Sequence, residues 1–394
     1  MPGGVEGIGR VALVHDWLVT RGGAERVLEA LVELLGYPPI YTLLHRPEAF
    51  VGSPIACCRI HTSWLQRLPG ATRHHPWLLP LMPSAVEQWD LSAYDVVVSS
   101  SHAVAKGVLT RSGQVHVSYV HTPVRYAWDL YPQYMASPSL TKGPGASVRR
   151  LVAAGVLHYL RLWDLASAAR PDVLVANSHH VARRIWKTYR RKARVIYPPV
   201  DVSRFQAPQG TAGRRGSNDR AYYVTHGRLV DYKRVDLIVR ALTEIGRPLL
   251  VIGDGPERRR LEAMAGPQVH FAGWLDDAAV VERLRGARAY VFAAEEDFGM
   301  APVEAQAAGL PVIAFGRGGA SETVIDGQTG VLFFEQSVPA LVDAVRRFEA
   351  GEAAFEASRI AGHARQFAGE RFEREFAALL RAAVSGANRR RRPV

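Results

Sequence analysis

Short apolar runs alternate with longer segments of helical periodicity along most of this 394-residue chain. The apolar runs are rich in β-branched residues and are continuous rather than alternating, which predicts parallel sheets covered by helices on both faces. The predicted strands are 11–16, 95–100, 115–120, 172–178, 221–227, 248–254, 268–273, 288–293 and 311–315. The predicted helices are 24–35, 147–169, 179–191, 234–245, 277–286, 338–349 and about 354–383.

The pattern is interrupted at 197–220, a stretch rich in Pro, Gly and polar residues that predicts a linker and a mobile loop. Enough strands lie on each side for a separate doubly wound sheet. We therefore expect an α/β protein with two Rossmann-like domains facing each other across a cleft. The first domain would be 1–200 and the second 201–365, and the helix in 366–394 could return to the first domain before a basic tail.

The charge of the chain is positive and unevenly distributed. The formal net charge is +12, and the first 200 residues carry 22 Lys and Arg against 12 Asp and Glu. Such a field favours nucleic acid, anionic lipid or phosphorylated ligands as partners. A solvated basic surface is the alternative.

The composition is that of a cytoplasmic protein. No apolar run approaches the roughly 20 residues needed to cross a bilayer. The N-terminus, MPGGVEGIGR, lacks the basic start and apolar block of a signal peptide. Cys57 and Cys58 are adjacent and give no metal-ligand spacing, so a reducing compartment is expected.

Two carboxylates flank a predicted helix start after the strand at 288–293, in the stretch 296-EDFGMAPVE-304. Ligands of open α/β sheets bind at the carboxyl ends of strands. Gly299 allows a turn, after which the first helical amides are free to bind phosphate or sugar oxygens. Glu296 in the loop and Glu304 in the first turns could then accept sugar hydroxyls from one ligand. In the alternative, Glu304 complements the helix dipole and Glu296 is solvated.

Cations and glycines follow two other predicted strands. Arg228 and Lys233 come after the strand at 221–227 and could neutralise a diphosphate as it departs. Gly22 and Gly23 follow the first strand, and their amides could approach a phosphate or a reacting sugar. Two surface cations and a lone glycine pair are the alternatives.

Further candidates in the first half lie at strand ends or in the aromatic-rich segment 120–135. Asp16 could contact an acceptor or cap a turn. His121 directly follows a strand, and Arg125 and Tyr126 lie just beyond it. Aromatic faces with interspersed polar groups are common in carbohydrate sites, whereas a packed structural cluster is the alternative.

Three loops of the second half also close strands. Gly253 and Trp274 lie in two of them, where they would be near a nucleotide base or ribose. Gly318 and Gly319 lie in the third, where they would be near a phosphate.

The chain resembles a retaining GT-B glycosyltransferase of family 4, the glycosyltransferases group 1, over nearly its whole length. The resemblance rests on H-D-W with R-G-G-A-E-R, Y-V-H-T-P-x-R-Y-A-W-D-L-Y, Y-P-P-V-D, G-R-L-V-x-Y-K-R-V-D, V-I-G-D-G-P-E, E-E-D-F-G-x-x-P-V-E-A-Q-A-x-G and G-R-G-G-A-x-E-T-V. The second and sixth motifs are together similar to mannosyltransferases of the WbaZ type, which use GDP-mannose in building surface polysaccharides.

This resemblance implies roles for individual residues. Arg228 and Lys233 would bind the diphosphate of the sugar donor and assist its departure. Glu304 would bind the ribose, Glu296 the transferred sugar, and His121 would lie at the reacting sugar. The backbone positions expected to hold the sugar and the phosphates are Phe298, Gly299 and Met300, with Gly22 and Gly23 approaching the diphosphate.

The implied reaction is the transfer of a hexose, expected to be mannose from GDP-mannose, to a hydroxyl of a saccharide acceptor that is often lipid-linked. No cofactor and no obligatory metal are expected, because no D-x-D triplet stands at a suitable strand end. The basic stretch 183–194 could rest on anionic lipid at the inner face of the cell membrane, or form a solvated helix face. A UDP-sugar donor and a basic nucleic-acid-binding protein are the competing interpretations.

Overall fold

The computed structural model describes residue 5 and residues 7–205 and 222–390. The predicted mobile loop falls largely on 206–221 and the end of the basic tail on 391–394, and both lie outside the described residues. The chain forms two compact units. The first unit comprises Met1–Tyr197 and Phe372–Val394, and the second comprises Pro198–Arg371.

The described part of the first unit is built on one parallel sheet in the order β3-β2-β1-β4-β5-β6-β7. Strands β1 to β3 are added towards one edge of the sheet and β4 to β7 towards the other, so the strand order reverses between β1 and β4. Doubly wound sheets bind ligands at this position. The strands are β1 Val11–His15, β2 Ile40–Thr42, β3 Ile60–Thr62, β4 Val96–Ser101, β5 Val115–Val120, β6 Val173–Ala176 and β7 Arg194–Val195.

Strands β1, β4 and β5 in the middle of this sheet are buried along almost their whole length, as strands covered by helices on both faces are. The helices are α1 Gly23–Leu34, α2 Met82–Val86, α3 Tyr131–Met135, α4 Pro138–Thr141, α5 Ala146–Ser167 and α6 His179–Tyr189. The C-terminal helix returns to this unit: Phe372 and Phe376 are fully buried in the same core as Leu13 and Val98.

The second unit repeats the architecture with a parallel sheet in the order β10-β9-β8-β11-β12-β13. Its change of direction falls between β8 and β11. The strands are β8 Tyr223–His226, β9 Leu249–Ile252, β10 Val269–Gly273, β11 Ala289–Phe292, β12 Val312–Phe315 and β13 Gly330–Phe333.

The helices of the second unit alternate with these strands, as the periodicity predicts. They are α7 Val202–Phe205, α8 Val235–Glu244, α9 Arg258–Met264, α10 Asp277–Gly286, α11 Met300–Ala307, α12 Ala320–Thr323, α13 Val338–Gly351 and α14 Ala357–Ala364. Helix α15, Gly369–Arg390, then leads back to the first unit.

The predicted α/β class with two Rossmann-like units is confirmed, and all nine predicted strands are present. The prediction of one helical stretch at about 354–383 is wrong, because α14 and α15 are separate. The intervening backbone pairs with another segment: the amide of Val200 donates to the carbonyl of Phe367 at 3.0 Å, and Val200 and Ala368 form a parallel bridge. That pairing needs extended backbone, which a continuous helix cannot supply.

Candidate functional site

An ion pair joins the carboxyl ends of β8 and β11 in the second unit. Lys233 ends a short turn between β8 and α8, and Glu296 lies in the loop between β11 and α11. The Nζ atom of Lys233 lies 2.7 Å from Oε1 of Glu296. The structure therefore brings together two predicted site residues that are 63 positions apart, at the change of direction of the sheet.

The electrostatic setting keeps Lys233 charged. Burial alone would lower the pKa of the Lys233 ammonium, but the adjacent Glu296 carboxylate outweighs burial and holds that pKa above its ordinary value. The two side chains retain 20% and 17% of their exposure, so a ligand can still reach them. The pair is a cation held in a fixed place by a neighbouring carboxylate.

Glu304 is buried in the second turn of α11 and contacts a histidine that the sequence analysis missed. Its Oε2 lies 3.1 Å from Nε2 of His226, the last residue of β8. The Nδ1 atom of His226 is buried and has no hydrogen-bond partner within the described residues. The available signal was the position of His226 at a strand end, directly before G-R-L-V.

Arg228 is the exposed cation of this group. It lines the same small cavity as His226 and Lys233. Its guanidinium has no side-chain partner in the part of the chain that the structure describes. Arg228 is therefore available to an anionic ligand, whereas Lys233 is already paired.

Glycines allow the strand-end loops to touch. Gly253 has a φ of 123°, and a Cβ on it would lie 2.0 Å from the carbonyl oxygen of Gly227. Only glycine therefore permits the loops after β8 and β9 to approach this closely. Its donor-binding role stays a prediction, and this packing is an independent reason for the residue.

The second glycine pair packs directly on the loop that carries Glu296. A Cβ on Gly319 would lie 2.2 Å from the Cα of Phe298, and the Gly319 amide donates to the carbonyl of Glu296 at 2.8 Å. A Cβ on Gly318 would lie 2.4 Å from the same carbonyl oxygen. These glycines support the Glu296 loop from behind, in addition to any contact with a phosphate.

The remaining predicted residues of the second unit have distinct settings. Gly299, with a φ of 82°, precedes the first residue of α11, Met300. The ring of Phe298 is buried and lies 5.7 Å from that of Phe367, so the backbone of Phe298 is the part open to a ligand role. Trp274, after β10, is 78% exposed. Their contacts with a sugar nucleotide stay predictions.

In the first unit, Asp16 is buried completely and caps a turn. Its carboxylate accepts hydrogen bonds from four consecutive backbone amides, at residues 102 to 105, at 2.6 to 3.0 Å. Burial raises the pKa of this carboxyl, but the adjacent rings of His102 and His15, together with these hydrogen bonds, hold that pKa below its ordinary value. The turn-capping alternative is the one that the structure shows, and contact with an acceptor stays a prediction.

A chain of hydrogen bonds connects the glycine pair to His121. The Gly22 amide donates to Oε2 of Glu25 at 2.8 Å, and Oε1 of Glu25 lies 3.5 Å from Nε2 of His15. The Ser100 hydroxyl lies 3.2 Å from Nδ1 of His15 and 2.8 Å from Nε2 of His121. Gly22 and His121, two of the predicted site residues of this unit, therefore belong to one polar network.

His121 is neutral over the physiological range. Burial lowers its pKa to about 3, and the nearby rings of His102 and His15 act in the same direction. Ser100 occupies its Nε2, which fixes the ring. The sequence analysis missed His15, Ser100 and Glu25, although the first and last lie inside the quoted H-D-W and R-G-G-A-E-R motifs.

The aromatic segment after β5 packs on α5. The Trp128 indole donates to Oδ2 of Asp164 at 2.7 Å. Burial raises the pKa of Tyr126 well above its ordinary value, and its hydroxyl has no partner among the described residues. Arg125 is partly buried beside it. The packed-cluster alternative describes Trp128, and a carbohydrate role for Arg125 and Tyr126 stays a prediction.

Some side chains of the basic stretch 183–194 form ion pairs and hydrogen bonds within the first unit. Arg184 pairs with Asp129 at 2.7 Å, and Arg191 donates to the carbonyls of Ala168 and Pro171, both at 2.7 Å. Trp186 remains exposed. No helix in the described part of the chain is long and apolar enough to cross a membrane.

Sequence comparisons place part of the chain with known glycosyltransferases. Residues 213–366 match the family described as glycosyl transferases group 1. The GDP-mannose-dependent alpha-(1-6)-phosphatidylinositol monomannoside mannosyltransferase of Mycolicibacterium smegmatis is 32% identical over 251 residues, 53% of this chain and 64% of that protein. The D-inositol 3-phosphate glycosyltransferase of Mycobacterium leprae is 33% identical over 219 residues, 50% of this chain and 51% of that protein. The chain thus spans between half and two thirds of these relatives.

Structural comparisons cover nearly the whole chain. The structure of Anabaena Alr3699/HepE in complex with UDP and glucose matches with a TM-score of 0.68 at 17% sequence identity. The match covers 94% of this chain and 99% of the HepE chain. Sucrose-phosphate synthase from Thermosynechococcus elongatus has a TM-score of 0.68 at 18% identity and covers 96% and 100%. With the strand orders of the two sheets, these likenesses establish the fold: two doubly wound α/β units of the GT-B class.

Proposed function

We propose that the protein is a retaining glycosyltransferase that moves a hexose from a nucleotide sugar to a hydroxyl of a saccharide acceptor. The donor we expect is GDP-mannose, since the relative from M. smegmatis is named for that donor. The observation that carries the proposal is the Lys233–Glu296 pair at the switch point of the second sheet, with Arg228 exposed beside it.

The chemistry requires positive charge where negative charge develops. The bond between the anomeric carbon and the donor diphosphate breaks, and a sugar with oxocarbenium character remains. Arg228 and Lys233 would stabilise the departing diphosphate, and one well-placed group of this kind contributes about 3 kcal/mol to a transition state. Because two protein cations supply this charge, we propose that the reaction needs no metal ion.

Glu296 and Glu304 would position the substrate. Glu296, already oriented by Lys233, would accept hydroxyl hydrogen bonds from the transferred sugar, and Glu304 would accept them from the ribose. The attacking acceptor hydroxyl forms a new bond to the anomeric carbon on the face that the diphosphate leaves, and its proton passes to the departing phosphate oxygen. This route needs no carboxylate nucleophile.

His121 and the glycine pair would act from the first unit. A neutral His121, fixed by Ser100, can hydrogen-bond to a sugar hydroxyl without adding charge beside the oxocarbenium-like sugar. Gly22 and Gly23 would approach the diphosphate. Acceptor contacts are proposed for Asp16, Arg125 and Tyr126, and we propose a polyprenyl-diphosphate-linked saccharide for surface polysaccharide as the acceptor, used at the inner face of the cell membrane.

A UDP-sugar donor is the second candidate. It is favoured by the likeness to HepE, whose structure contains UDP and glucose. The same cations and carboxylates would serve either nucleotide, because they contact the diphosphate and the two sugar rings rather than the base.

Donor hydrolysis without acceptor tests the proposal. GDP-mannose, UDP-glucose and UDP-N-acetylglucosamine are each incubated with the protein, with and without EDTA, and the released nucleotide is quantified. We expect release from GDP-mannose that EDTA does not suppress and that Lys233→Ala abolishes. Release from a UDP-sugar alone would replace the donor assignment, and no release or binding with any of the three would contradict the proposed function.

A further inference from the structure

Helix α5 is apolar on two opposite faces, and only one of them is covered. Leu157 and Leu160 are buried against Val124 and Ala127 in the core below the aromatic segment. The other side carries a row of exposed apolar residues at helical spacing. This α5 apolar face consists of Val148, Leu151, Val152, Tyr159, Leu162 and Leu165.

The exposure is large for such residues. Leu151 is 75% exposed and Leu162 is 57% exposed, although one lies three turns from the other on the same helix. A helix that is apolar all round is normally buried, and a continuous exposed apolar surface of this kind indicates a binding surface. Unit packing accounts for one face of α5 and leaves the other without a partner in the described structure.

Another turn of the first unit, beside the covered side of α5, also exposes apolar side chains. Leu79 packs against the same cluster as Leu157 and Leu160. Trp77 and Leu81, on either side of Leu79, are exposed, Trp77 by 83%. Tryptophan beside aliphatic side chains is the composition that sits at a membrane–water interface.

The charges that α5 exposes are positive, because its one carboxylate, Asp164, is buried and paired with Lys106. Residues 130–163 contain no Asp or Glu and carry Lys142, Arg149, Arg150 and Arg161. Arg149 and Arg150 are exposed within the first turn of α5, next to Val148 and Leu151. An apolar face bordered by arginines matches the surface of a bilayer that contains anionic lipids.

A second copy of the chain fits this face less well. A second α5 helix packed on this face would add further exposed arginines, Arg149 and Arg150, and no exposed carboxylate. No carboxylate in 130–163 could compensate the repulsion between these arginines. We therefore propose that the α5 apolar face docks this protein on an anionic bilayer surface.

Vesicle co-sedimentation tests this proposal without reference to catalysis. The wild-type protein is mixed with vesicles of phosphatidylglycerol and phosphatidylcholine, and separately with vesicles of phosphatidylcholine alone. We expect sedimentation with the first kind only. Leu151→Glu/Leu162→Glu should lower the partition coefficient by roughly tenfold or more, because each leucine loses most of its apolar transfer energy. Arg150→Glu should weaken the preference for anionic vesicles.

Val51→Glu is the matched control, since Val51 is 82% exposed in the same unit but lies outside α5. It should bind vesicles as the wild type does. If the double glutamate variant does not fold by circular dichroism, Val152→Ser/Leu162→Ser on the same face replaces it. Equal sedimentation of the face variants and the wild type would overturn the proposal. So would a wild-type dimer that the face variants convert to monomer, or loss of binding only on substituting Arg183 and Lys187 of α6.

Discussion

Lys233 and Glu296 hold each other at the junction of two parallel strands, with Nζ 2.7 Å from Oε1. In the proposed function, this pairing would hold the cation in place for a diphosphate before any ligand arrives. Because the carboxylate also raises the pKa of the ammonium, the cation stays charged despite its burial.

We expect Lys233→Ala to lower turnover by about 100-fold or more, since it removes a group that stabilises the leaving diphosphate. Lys187→Ala is the matched control, because Lys187 is an exposed lysine on α6. Initial rates of nucleotide release at saturating donor check the prediction. Equal rates for both variants would remove Lys233 from the proposed machinery.

We expect Glu296→Ala and Glu304→Ala to change different kinetic constants. If Glu296 contacts the sugar that reacts, as proposed, its loss should lower kcat more than it raises KM. If Glu304 contacts the ribose equally in the ground and transition states, its loss should raise KM while kcat changes little. Steady-state kinetics for both variants measure this split, and identical effects on kcat would contradict the separate roles.

Gly319→Ala should damage the site through sterics alone. Its φ of −67° suits any residue, but the added Cβ would lie 2.2 Å from the Cα of Phe298 and displace the Glu296 loop. We expect a large loss of activity together with a destabilisation of about 1–3 kcal/mol. Gly351→Ala is the control, because a Cβ there meets nothing within 4 Å. Retained activity in Gly319→Ala would show that the loop tolerates the shift.

The buried Lys106–Asp164 ion pair should matter for stability. Both side chains are buried, and Asp164 also accepts from Trp128 and Tyr189. Asp164→Asn leaves the ammonium buried without a counter-charge, which costs about 3–5 kcal/mol. Asp129→Asn, in the more exposed pair with Arg184, should cost less than about 1 kcal/mol. Urea unfolding compares them, and similar midpoints would contradict this reasoning.

Acidification should weaken the first unit through its buried histidines. The unfolded chain takes up a proton at a pKa of about 6.5, whereas folded His121 remains neutral down to about 3. Stability therefore falls as the pH drops through that window, by about 1.4 kcal/mol per pH unit for each such histidine. His121→Asn should reduce the slope by that amount.

Tryptophan fluorescence reads this transition, because seven of the eight tryptophans lie in the first unit and Trp274 is the other one. Urea unfolding above and below the ordinary histidine pKa gives the slope. His158→Asn, at an exposed position on α5, is the control and should leave the slope unchanged. An unaltered slope in His121→Asn would show that His121 titrates normally.

The sequence allowed the fold class to be predicted because strands buried on both faces carry continuous apolar runs. It did not reveal β2, β3, β7 or β13. The two residues of β7, Arg194 and Val195, show no period and are set by pairing with β6. Strand order was likewise invisible, since it depends on contacts between distant segments.

The same limit applies to the site. Glu296 and Lys233 were predicted as strand-end residues, because neighbouring strand ends bring ligand groups together. His226 was missed, since a histidine that ends a strand resembles a structural one until Glu304 is placed beside it. Gly318 and Gly319 were interpreted only as phosphate contacts. Their close approach to the Glu296 loop depends on tertiary packing, which the sequence does not show.

The return of α15 to the first unit makes the second unit an insertion between Tyr197 and Phe372. Two covalent connections, rather than one, therefore join the two units. The second unit is a contiguous stretch that can be excised as one gene fragment. The first unit is discontinuous in sequence. A truncation that removes α15 would therefore take Phe372 and Phe376 out of the core of a unit whose strands are synthesised first.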